Sequence, residues 1–262
     1  VEQTLGGNRI LGGVDLTIRD IRRPGRTTGQ VVGLLGPSGI GKTRLFRILA
    51  GLDKPDAGEV LIGHPPRPVE RGMVGVVAQH YPLFAHRTVL GNLMLAAELK
   101  GASAAEATAR AMEILGRFGL EDKAPLYPIQ LSGGQRQRVA IARALAQHSL
   151  AGELSLPRDE PFSGLDPLAV DKVCELLAEV AGMHELNTIV VVTHDISAAV
   201  EVSDVILMLG RERDAQGDVI PGAKILAEQD LMERGLAWKP SVSTTPEFLE
   251  TVREIRLRFQ TL

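Results

Sequence analysis

The sequence predicts an α/β fold, in which buried parallel strands alternate with helices. Three apolar runs have the length of buried strands and end at turn-forming or polar residues; they span 31–35, 73–78 and 188–193. Segments with apolar residues at helical spacing lie between these runs. This alternation indicates an α/β core, and a chain of 262 residues can bury one substantial hydrophobic interior.

A glycine-rich segment after the first strand matches the pattern G-x-x-x-x-G-K-[ST]. It reads Gly36-Pro37-Ser38-Gly39-Ile40-Gly41-Lys42-Thr43. The glycines allow backbone amides to turn inward around phosphate oxygens. Lys42 would bring a positive charge to the terminal phosphates, and Thr43 a hydroxyl to Mg²⁺. The predicted helix over 44–50 starts at Arg44 and offers its N-terminus to the anion, so the segment predicts a nucleoside triphosphate site.

A second phosphate-binding pattern lies far downstream and reads Leu131-Ser132-Gly133-Gly134-Gln135. It precedes a predicted helix over 135–147, and Ser132 with the two glycines can aim the N-terminus of this helix at phosphate. Alone, the pattern fits an ordinary serine-capped helix equally well. Together with the glycine-rich loop, it predicts two phosphate-binding devices in one chain.

These two patterns resemble those of ATP-binding cassette (ABC) transporter ATPase subunits. The resemblance implies a P-loop NTPase (RecA-like) core with an N-terminal antiparallel β subdomain and an inserted helical subdomain that carries the second pattern, the signature. It also implies that ATP with Mg²⁺ is sandwiched between the phosphate loop of one protomer and the signature of a second cassette. That second cassette is an identical chain or a paralogue.

Further residues match the family in the order that it requires. Gln79 resembles the glutamine that contacts Mg²⁺ or the attacking water, and Asp159 the carboxylate that holds Mg²⁺ through water. Glu160 resembles the general base, and His194 the switch histidine that contacts the γ-phosphate. Asp166 lies in a segment that resembles the loop crossing the dimer interface. Taken singly, such residues also fit structural roles as strand caps, solvated turns or satisfied histidines.

The resemblance and the periodicity together divide the chain. We expect one nucleotide-binding domain over 1–262, with core and β subdomain at 1–87 and 148–225, a helical subdomain at 88–147 and a helical tail at 226–262. Helices are predicted over 89–100 and 104–118, the second capped by Ser103 with Glu106 three residues later. The first strands are expected to turn at Gly12-Gly13, and a loop over 210–222 to join two later strands.

Two surfaces are left with two interpretations each. The stretch 80–89 resembles the groove wall on which a permease's cytoplasmic helix rests, or is a proline-kinked loop. A helix opened by Pro246 has Phe248, Val252, Ile255 and Phe259 on one face. That face packs back on the core or docks a partner.

Three departures from the family pattern are visible. Pro157 and Arg158 interrupt the aliphatic run expected before Asp159, which predicts a distorted Mg²⁺ site. Leu5 stands where the family has an aromatic residue that stacks on adenine, so apolar contact would replace stacking. The segment 19–30 is longer than the usual turn and is expected to be a surface loop.

Composition and charge argue against several classes of protein. A net charge of −3 gives no nucleic-acid footprint. No run reaches the ~18 apolar residues of a membrane span, and no secretory leader opens the sequence, so other subunits are expected to cross the membrane. We therefore expect a cytoplasmic protein, peripheral on the inner face of the membrane. Cys174 is the single cysteine and is expected to be a buried apolar residue.

The leading hypothesis is an ATP hydrolase that drives two transmembrane permease subunits. The stretch 79–95 resembles importers of polar amino acids, nitrate or sulfonates, which work with a separate solute-binding protein. The alternative is a nucleotide-binding regulatory cassette with weak or no hydrolysis, motivated by Pro157, Arg158 and Leu5. A soluble ABC protein of DNA repair or translation is disfavoured, because the sequence contains neither a coiled-coil insertion nor a second cassette.

Overall fold

The computed structural model describes residues 1–19, 30–63, 65–70, 83–98, 101–148, 155–159, 188–237, 239 and 242–259. Its strands are β1 (Glu2–Leu5), β2 (Asn8–Gly12), β3 (Gln30–Leu35), β4 (Leu61–Ile62), β5 (Arg67–Pro68), β6 (Ser155–Asp159), β7 (Thr188–Thr193), β8 (Val205–Gly210) and β9 (Lys224–Asp230). Its helices are α1 (Lys42–Leu49), α2 (Val89–Glu98), α3 (Ala104–Arg117), α4 (Gly133–His148), α5 (Ile196–Val202) and α6 (Pro246–Phe259).

A mixed sheet with the strand order β6-β7-β3-β8-β9 forms the centre of the described fold. The first four of these strands are parallel, and β9 runs antiparallel to β8. All six residues of β3 are buried, as are five of the six in β7. Such continuous burial is typical of parallel strands that helices cover on both faces, which explains why these strands read as unbroken apolar runs.

Three hydrophobic clusters attach the helices to this sheet. The first joins α2, α3 and α4 to one another and to Val31 and Ile189 of the sheet. The second packs Leu45 and Phe46 of α1 against β3, β7 and the N-terminal strand β2. The third places α5 and α6 over β8 and the end of β3.

Helix ends follow the local capping chemistry. Ser103 caps α3 by accepting a hydrogen bond from the Glu106 amide, and the Glu106 carboxylate accepts one from the Ser103 amide at 2.9 Å, as predicted. The Ser103 hydroxyl donates to the same carboxylate at 2.7 Å, and this bond, with the one from the amide, lowers the pKa of Glu106. α4 begins at Gly133, two residues before the predicted start at Gln135, because the glycines directly after the Ser132 cap already belong to the helix.

The N-terminal hairpin turns at a different place from the one expected. Gly6 and Gly7 form the turn between β1 and β2 with φ of 55° and 81°, whereas the sequence predicted it at Gly12-Gly13. Two positive φ angles in succession define the tight turn whose twist suits a two-residue hairpin. Gly12 instead lies within β2, where its amide donates to the Ala223 carbonyl at 2.9 Å.

The C-terminal helix packs back on the core, which confirms one of the two interpretations of its apolar face. Phe248, Val252 and Ile255 are buried in the third cluster, and Phe259 is partly buried there. β9 extends the sheet to Asp230, beyond the position 226 at which a helical tail was expected to start. In the described ranges no helix combines the length and the apolarity that crossing a bilayer requires.

Candidate nucleotide-binding site

The parallel strands bring three predicted site segments to one edge of the sheet. Leu35 ends β3 beside Thr193 at the end of β7, and Asp159 ends β6 beside Val192. The phosphate loop, the residue after β7 and the backbone of Asp159 therefore all stand at the carboxyl ends of neighbouring strands. This is the edge at which open α/β sheets bind their ligands.

The strand that carries Asp159 is intact despite its unusual sequence. β6 continues through Pro157 and Arg158 in unbroken register with β7. In this register Pro157 pairs with Val190, and Arg158 pairs with Val191. The backbone of this strand is therefore regular, and the predicted distortion of the Mg²⁺ site stays a prediction.

The inner side of the phosphate loop is packed and its outer side is open. A Cβ on Gly36 would lie 2.7 Å from the Leu209 carbonyl oxygen, so no larger residue fits there. Gly41 has φ of 118° and abuts β2, since a Cβ at this position would lie 3.0 Å from Ile10 Cγ2. Gly39 has φ of 76° and no neighbour within 4 Å of its Cβ position. The loop is thus anchored from behind and presents its other face to solvent.

Lys42 is folded into this loop. Lys42 is only 7% exposed. Its Nζ donates hydrogen bonds to the carbonyl oxygens of Gly36 at 2.7 Å and Pro37 at 3.1 Å. Backbone carbonyls thereby hold the ammonium at the centre of the loop. The phosphates of a nucleotide that bound there would meet a positive charge that is already in position.

The N-terminus of α1 has no side-chain cap. Gly41 occupies the N-cap position, and its carbonyl accepts from the amides of Arg44 and Leu45, both at 3.0 Å. Thr43 is exposed in the first turn. This uncapped helix end, with a hydroxyl beside it, suits an anion and its counter-ion.

The Arg44 side chain points to another partner. Its Nη1 lies 3.2 Å from Oδ2 of Asp53, and Arg47 binds the same carboxylate in a two-pronged contact, with Nε–Oδ2 at 2.6 Å and Nη2–Oδ1 at 2.8 Å. The hydrogen bond from Arg47 is the main cause that lowers the pKa of Asp53. Arg44 therefore fixes the segment after α1, and its contribution to nucleotide binding stays a prediction.

The signature forms an exposed, complete helix start. The Gln135 amide donates to Ser132 Oγ at 3.2 Å, and the Ser132 amide donates to Gln135 Oε1 at 2.9 Å. Gly133 and Gly134 are exposed with nothing within 4 Å of their Cβ positions, while Leu131 is buried beneath them. The turn is thus anchored in the helical cluster and open to a ligand that approaches from outside.

His194 is exposed at the sheet edge, immediately after β7. The backbone on either side of it is fixed: the Asp195 amide donates to Thr193 Oγ1 at 3.0 Å, and Asp195 Oδ1 accepts from the Ala198 amide at 3.1 Å to cap α5. The histidine therefore projects from a rigid strand-to-helix turn on the same edge as the phosphate loop.

Asn92 is a further residue of this region that the sequence interpretation missed. It is fully buried, and its side-chain oxygen accepts from the Phe84 amide at 2.8 Å. Its side-chain nitrogen donates to the carbonyls of Phe84 and Arg87, both at 3.2 Å, and of Thr88 at 2.9 Å. The loop 83–88 is therefore fastened to α2. A lone asparagine inside an apolar helical stretch was the available signal.

Arg143 joins this loop to α4. Its guanidinium carbon lies 5.3 Å from the centroid of the Phe84 ring, and Phe84 also makes an edge contact with His86 at 5.9 Å between ring centroids. Desolvation by burial lowers the pKa of Arg143. The 83–88 loop, with Phe84 41% exposed, thus contacts both α2 and the signature helix.

Several predicted residues cannot be placed by the structure. Gln79, Glu160, Asp166 and Cys174 lie outside the described residues, as does the segment 20–29. Leu5 is described, and it is 36% exposed at the end of β1, next to the hairpin turn.

The described residues at the sheet edge suit Mg²⁺. The Thr43 hydroxyl offers an oxygen ligand, which this ion prefers, and a site built on phosphates needs only one or two ligands from protein. Within the described ranges, this site included, no group of three or more His, Cys, Asp or Glu side chains could hold a metal ion by itself.

The sequence matches the model of the ABC transporter family over residues 26–161. The chain belongs to the ABC transporter family. This ABC protein is 40% identical to the L-cystine transport system ATP-binding protein TcyN of Escherichia coli (strain K12), over 79% of this chain and 83% of that protein. It is 43% identical to methionine import ATP-binding protein MetN 1 of Rhodococcus jostii (strain RHA1), over 71% of this chain but only 56% of that longer protein.

Solved structures confirm the fold of this ABC cassette. One is cbiO1 from Clostridium perfringens, part of the ABC transporter complex cbiONQ, with a TM-score of 0.73, 25% identity, and coverage of 99% of this chain and 93% of that one. Another is the dimeric post-hydrolysis state of the ATP-binding cassette MJ0796 bound to ADP and Pi, with a TM-score of 0.65, 31% identity, and coverage of 88% and 95%. The predicted P-loop NTPase fold and the assignment as an ABC-type ATPase are confirmed.

Proposed function

We propose that this ABC ATPase closes with a second cassette around two Mg-ATP and powers the import of a small solute through permease subunits. The observation that carries the proposal is the signature turn, which is anchored in the helical cluster on one side and exposed on the other. Ser132, Gly133 and Gly134 are exposed and their turn is internally satisfied. The MJ0796 cassette, whose dimer holds ADP and Pi, supports such an arrangement.

In this proposal the described residues bind and orient the triphosphate. Lys42 exchanges its bonds to the Gly36 and Pro37 carbonyls for bonds to the terminal phosphates, and the uncapped start of α1 offers backbone amides. Thr43 and Asp159 would hold Mg²⁺. When bound, Mg²⁺ neutralises the charge that develops on the phosphate oxygens.

Hydrolysis in this proposal uses residues around the γ-phosphate. Glu160 polarises the attacking water, while His194 and Gln79 position it. The water oxygen bonds to the γ-phosphorus as the bond from that phosphorus to the bridging oxygen breaks, which gives ADP and inorganic phosphate. The uninterrupted register of β6 supports this role, because it brings the backbone of Asp159 to the correct sheet edge.

Import is the direction that the relatives support. TcyN and MetN 1 are named for the transport of cystine and the import of methionine, so the proposed cargo class is an amino acid or a related small solute. A separate solute-binding protein and the permease would select the cargo. The cassette would lie on the cytoplasmic face of the membrane, with the 83–88 loop against a permease helix.

Steady-state phosphate release tests the proposal. The purified chain is assayed with Mg-ATP over a range of protein concentrations, next to a Glu160→Gln variant and with GTP for comparison. We expect a rate that rises more steeply than protein concentration, is lost in the variant and prefers ATP. A native rate no higher than that of the variant, both alone and with its co-purified permease, would reject the proposed hydrolysis.

A further inference from the structure

Arg143 and the signature lie on the same helix but face different neighbours. Ser132 caps the start of α4, and Arg143 lies about three turns further along it. There the guanidinium carbon is 5.3 Å from the centroid of the Phe84 ring. Cation–π attraction operates within about 6 Å of the ring centroid and weakens as the cation moves away from the ring, so the contact depends on the distance between Arg143 and Phe84.

The loop that carries Phe84 is a rigid unit. Asn92 is fully buried and bonds to both the amide and the carbonyl of Phe84. Its side-chain nitrogen also donates to the carbonyls of Arg87 and Thr88, and these bonds restrict the loop to one geometry. A force applied to the Phe84 ring therefore moves the loop together with α2.

We infer that Arg143 is a positioning residue, which transmits displacement of the signature helix to the 83–88 loop. The inference rests on the proposed function, in which the start of α4 engages nucleotide bound to a second cassette. A helix that moves as a rod carries its arginine with it. The ring must then follow the guanidinium, or the contact breaks. In this way nucleotide engagement at Ser132 reaches the surface proposed to meet the permease.

Two other connections must be separated from this one: the apolar packing of α2 against α4 in the first hydrophobic cluster, and a set of backbone hydrogen bonds. The amides at the start of α2 donate to the segment that precedes the signature, from Val89 to the Leu126 carbonyl at 2.7 Å and from Leu90 to the Ala124 carbonyl at 3.0 Å. These bonds do not involve Arg143. A test of the inference therefore needs a variant that removes the guanidinium alone.

Amide hydrogen exchange of the Glu160→Gln chain, with and without Mg-ATP, provides that test. Arg143→Met removes the charge but keeps an unbranched stem. Arg138→Met is the matched control, because Arg138 lies on the same helix and donates to the Phe118 carbonyl at 3.1 Å, away from the loop. We expect ATP to protect the first turn of α4 in all three chains. We expect the protection that ATP adds to the 84–92 amides to fall roughly tenfold in the Arg143→Met chain, and to stay unchanged in the Arg138→Met chain.

Conservative variants sharpen the result. Phe84→Tyr should keep the loop protection, Phe84→Leu should lose it, and adding Arg143→Met to Phe84→Leu should cause no further loss. Arg143→Lys, which keeps a cation, should restore part of the protection that Arg143→Met loses.

Two outcomes overturn the inference in distinguishable ways. Equal loop protection in Arg143→Met and Arg138→Met, with the first turn of α4 protected, refutes the role of Arg143 and leaves the proposed function standing. No protection of that first turn in any chain refutes the nucleotide-driven dimer, and the inference falls with it.

Discussion

Two buried polar side chains fix the loops that matter most for function. Lys42 donates to the backbone carbonyls of the phosphate loop, and Asn92 bonds to four backbone groups of the 83–88 loop. Buried polar groups in proteins nearly always have hydrogen-bond partners, and backbone atoms are the partners here. A loop without regular secondary structure therefore acquires one geometry from a single side chain.

Replacing Lys42 by Ala is expected to weaken ATP binding by about 2 kcal/mol, roughly thirtyfold in Kd, because a charge-assisted bond to the terminal phosphates is lost. Titration calorimetry with Mg-ATP measures the change. Lys224→Ala is the control, since that exposed lysine pairs with Glu212 at 2.7 Å. Equal affinities for the native and Lys42→Ala chains would remove Lys42 from the nucleotide site.

For single residues, the sequence predicts the role of those that belong to a short motif. Lys42 follows from the spacing of the glycines around it, and its ammonium lies at the loop centre, while its contact with phosphate stays a prediction. Asn92 and Arg143 could not be predicted in the same way. Their partners are reached only when a loop, α2 and α4 pack together, and no short spacing encodes such a contact.

Helix starts carry function at the scale of the element. Ser103 and Ser132 both form a reciprocal cap with the side chain three residues later, so the two helix starts share one local structure. α3 uses this cap only to begin a helix. The α4 cap is followed by Gly133 and Gly134, which leave its surface open.

The shared cap allows a matched comparison. Ser103→Ala and Ser132→Ala should each lower the free energy of unfolding by about 1 kcal/mol, because each removes one N-cap. Only Ser132→Ala should also impair ATP-induced dimerisation in the Glu160→Gln background. Denaturant unfolding and analytical ultracentrifugation measure the two effects. Equal dimerisation of both variants would reduce Ser132 to a structural cap.

The elements were largely predictable, and the exceptions have physical reasons. Strands β3 and β7, helix α3 and the apolar face of α6 follow from their residue patterns. The hairpin turn was misplaced because the chain has two glycine pairs, Gly6-Gly7 and Gly12-Gly13. The choice between them depends on Gly12, whose close approach to Gly222 is a contact distant in sequence.

At the scale of the whole molecule, that approach joins the N-terminal hairpin to the sheet. A Cβ on Gly222 would lie 2.7 Å from Gly12 Cα, and Leu11 bridges to Ala223 beside it. The same hairpin supplies Ile10, which supports Gly41 of the phosphate loop from behind. The junction therefore contributes both to stability and to the shape of the nucleotide site.

Gly222→Ala is expected to destabilise the protein more than Gly217→Ala does. Both residues lie in the loop before β9 with φ of 95° and 90°, so both substitutions strain the backbone by about 1–2 kcal/mol. Gly217 has open space around its Cβ position, whereas Gly222 has backbone there, which adds about 1–3 kcal/mol. Thermal unfolding compares the two. Equal midpoints would show that the hairpin can separate from the sheet without loss.

The outward-facing signature also has a genetic consequence. In a dimer of identical chains, each nucleotide site takes its phosphate loop from one copy and its signature from the other. A cell that makes both Lys42→Ala and Ser132→Arg chains would assemble mixed dimers with one undamaged site and one site damaged on both sides. The two alleles should therefore complement each other, although neither supports growth on the transported nutrient by itself.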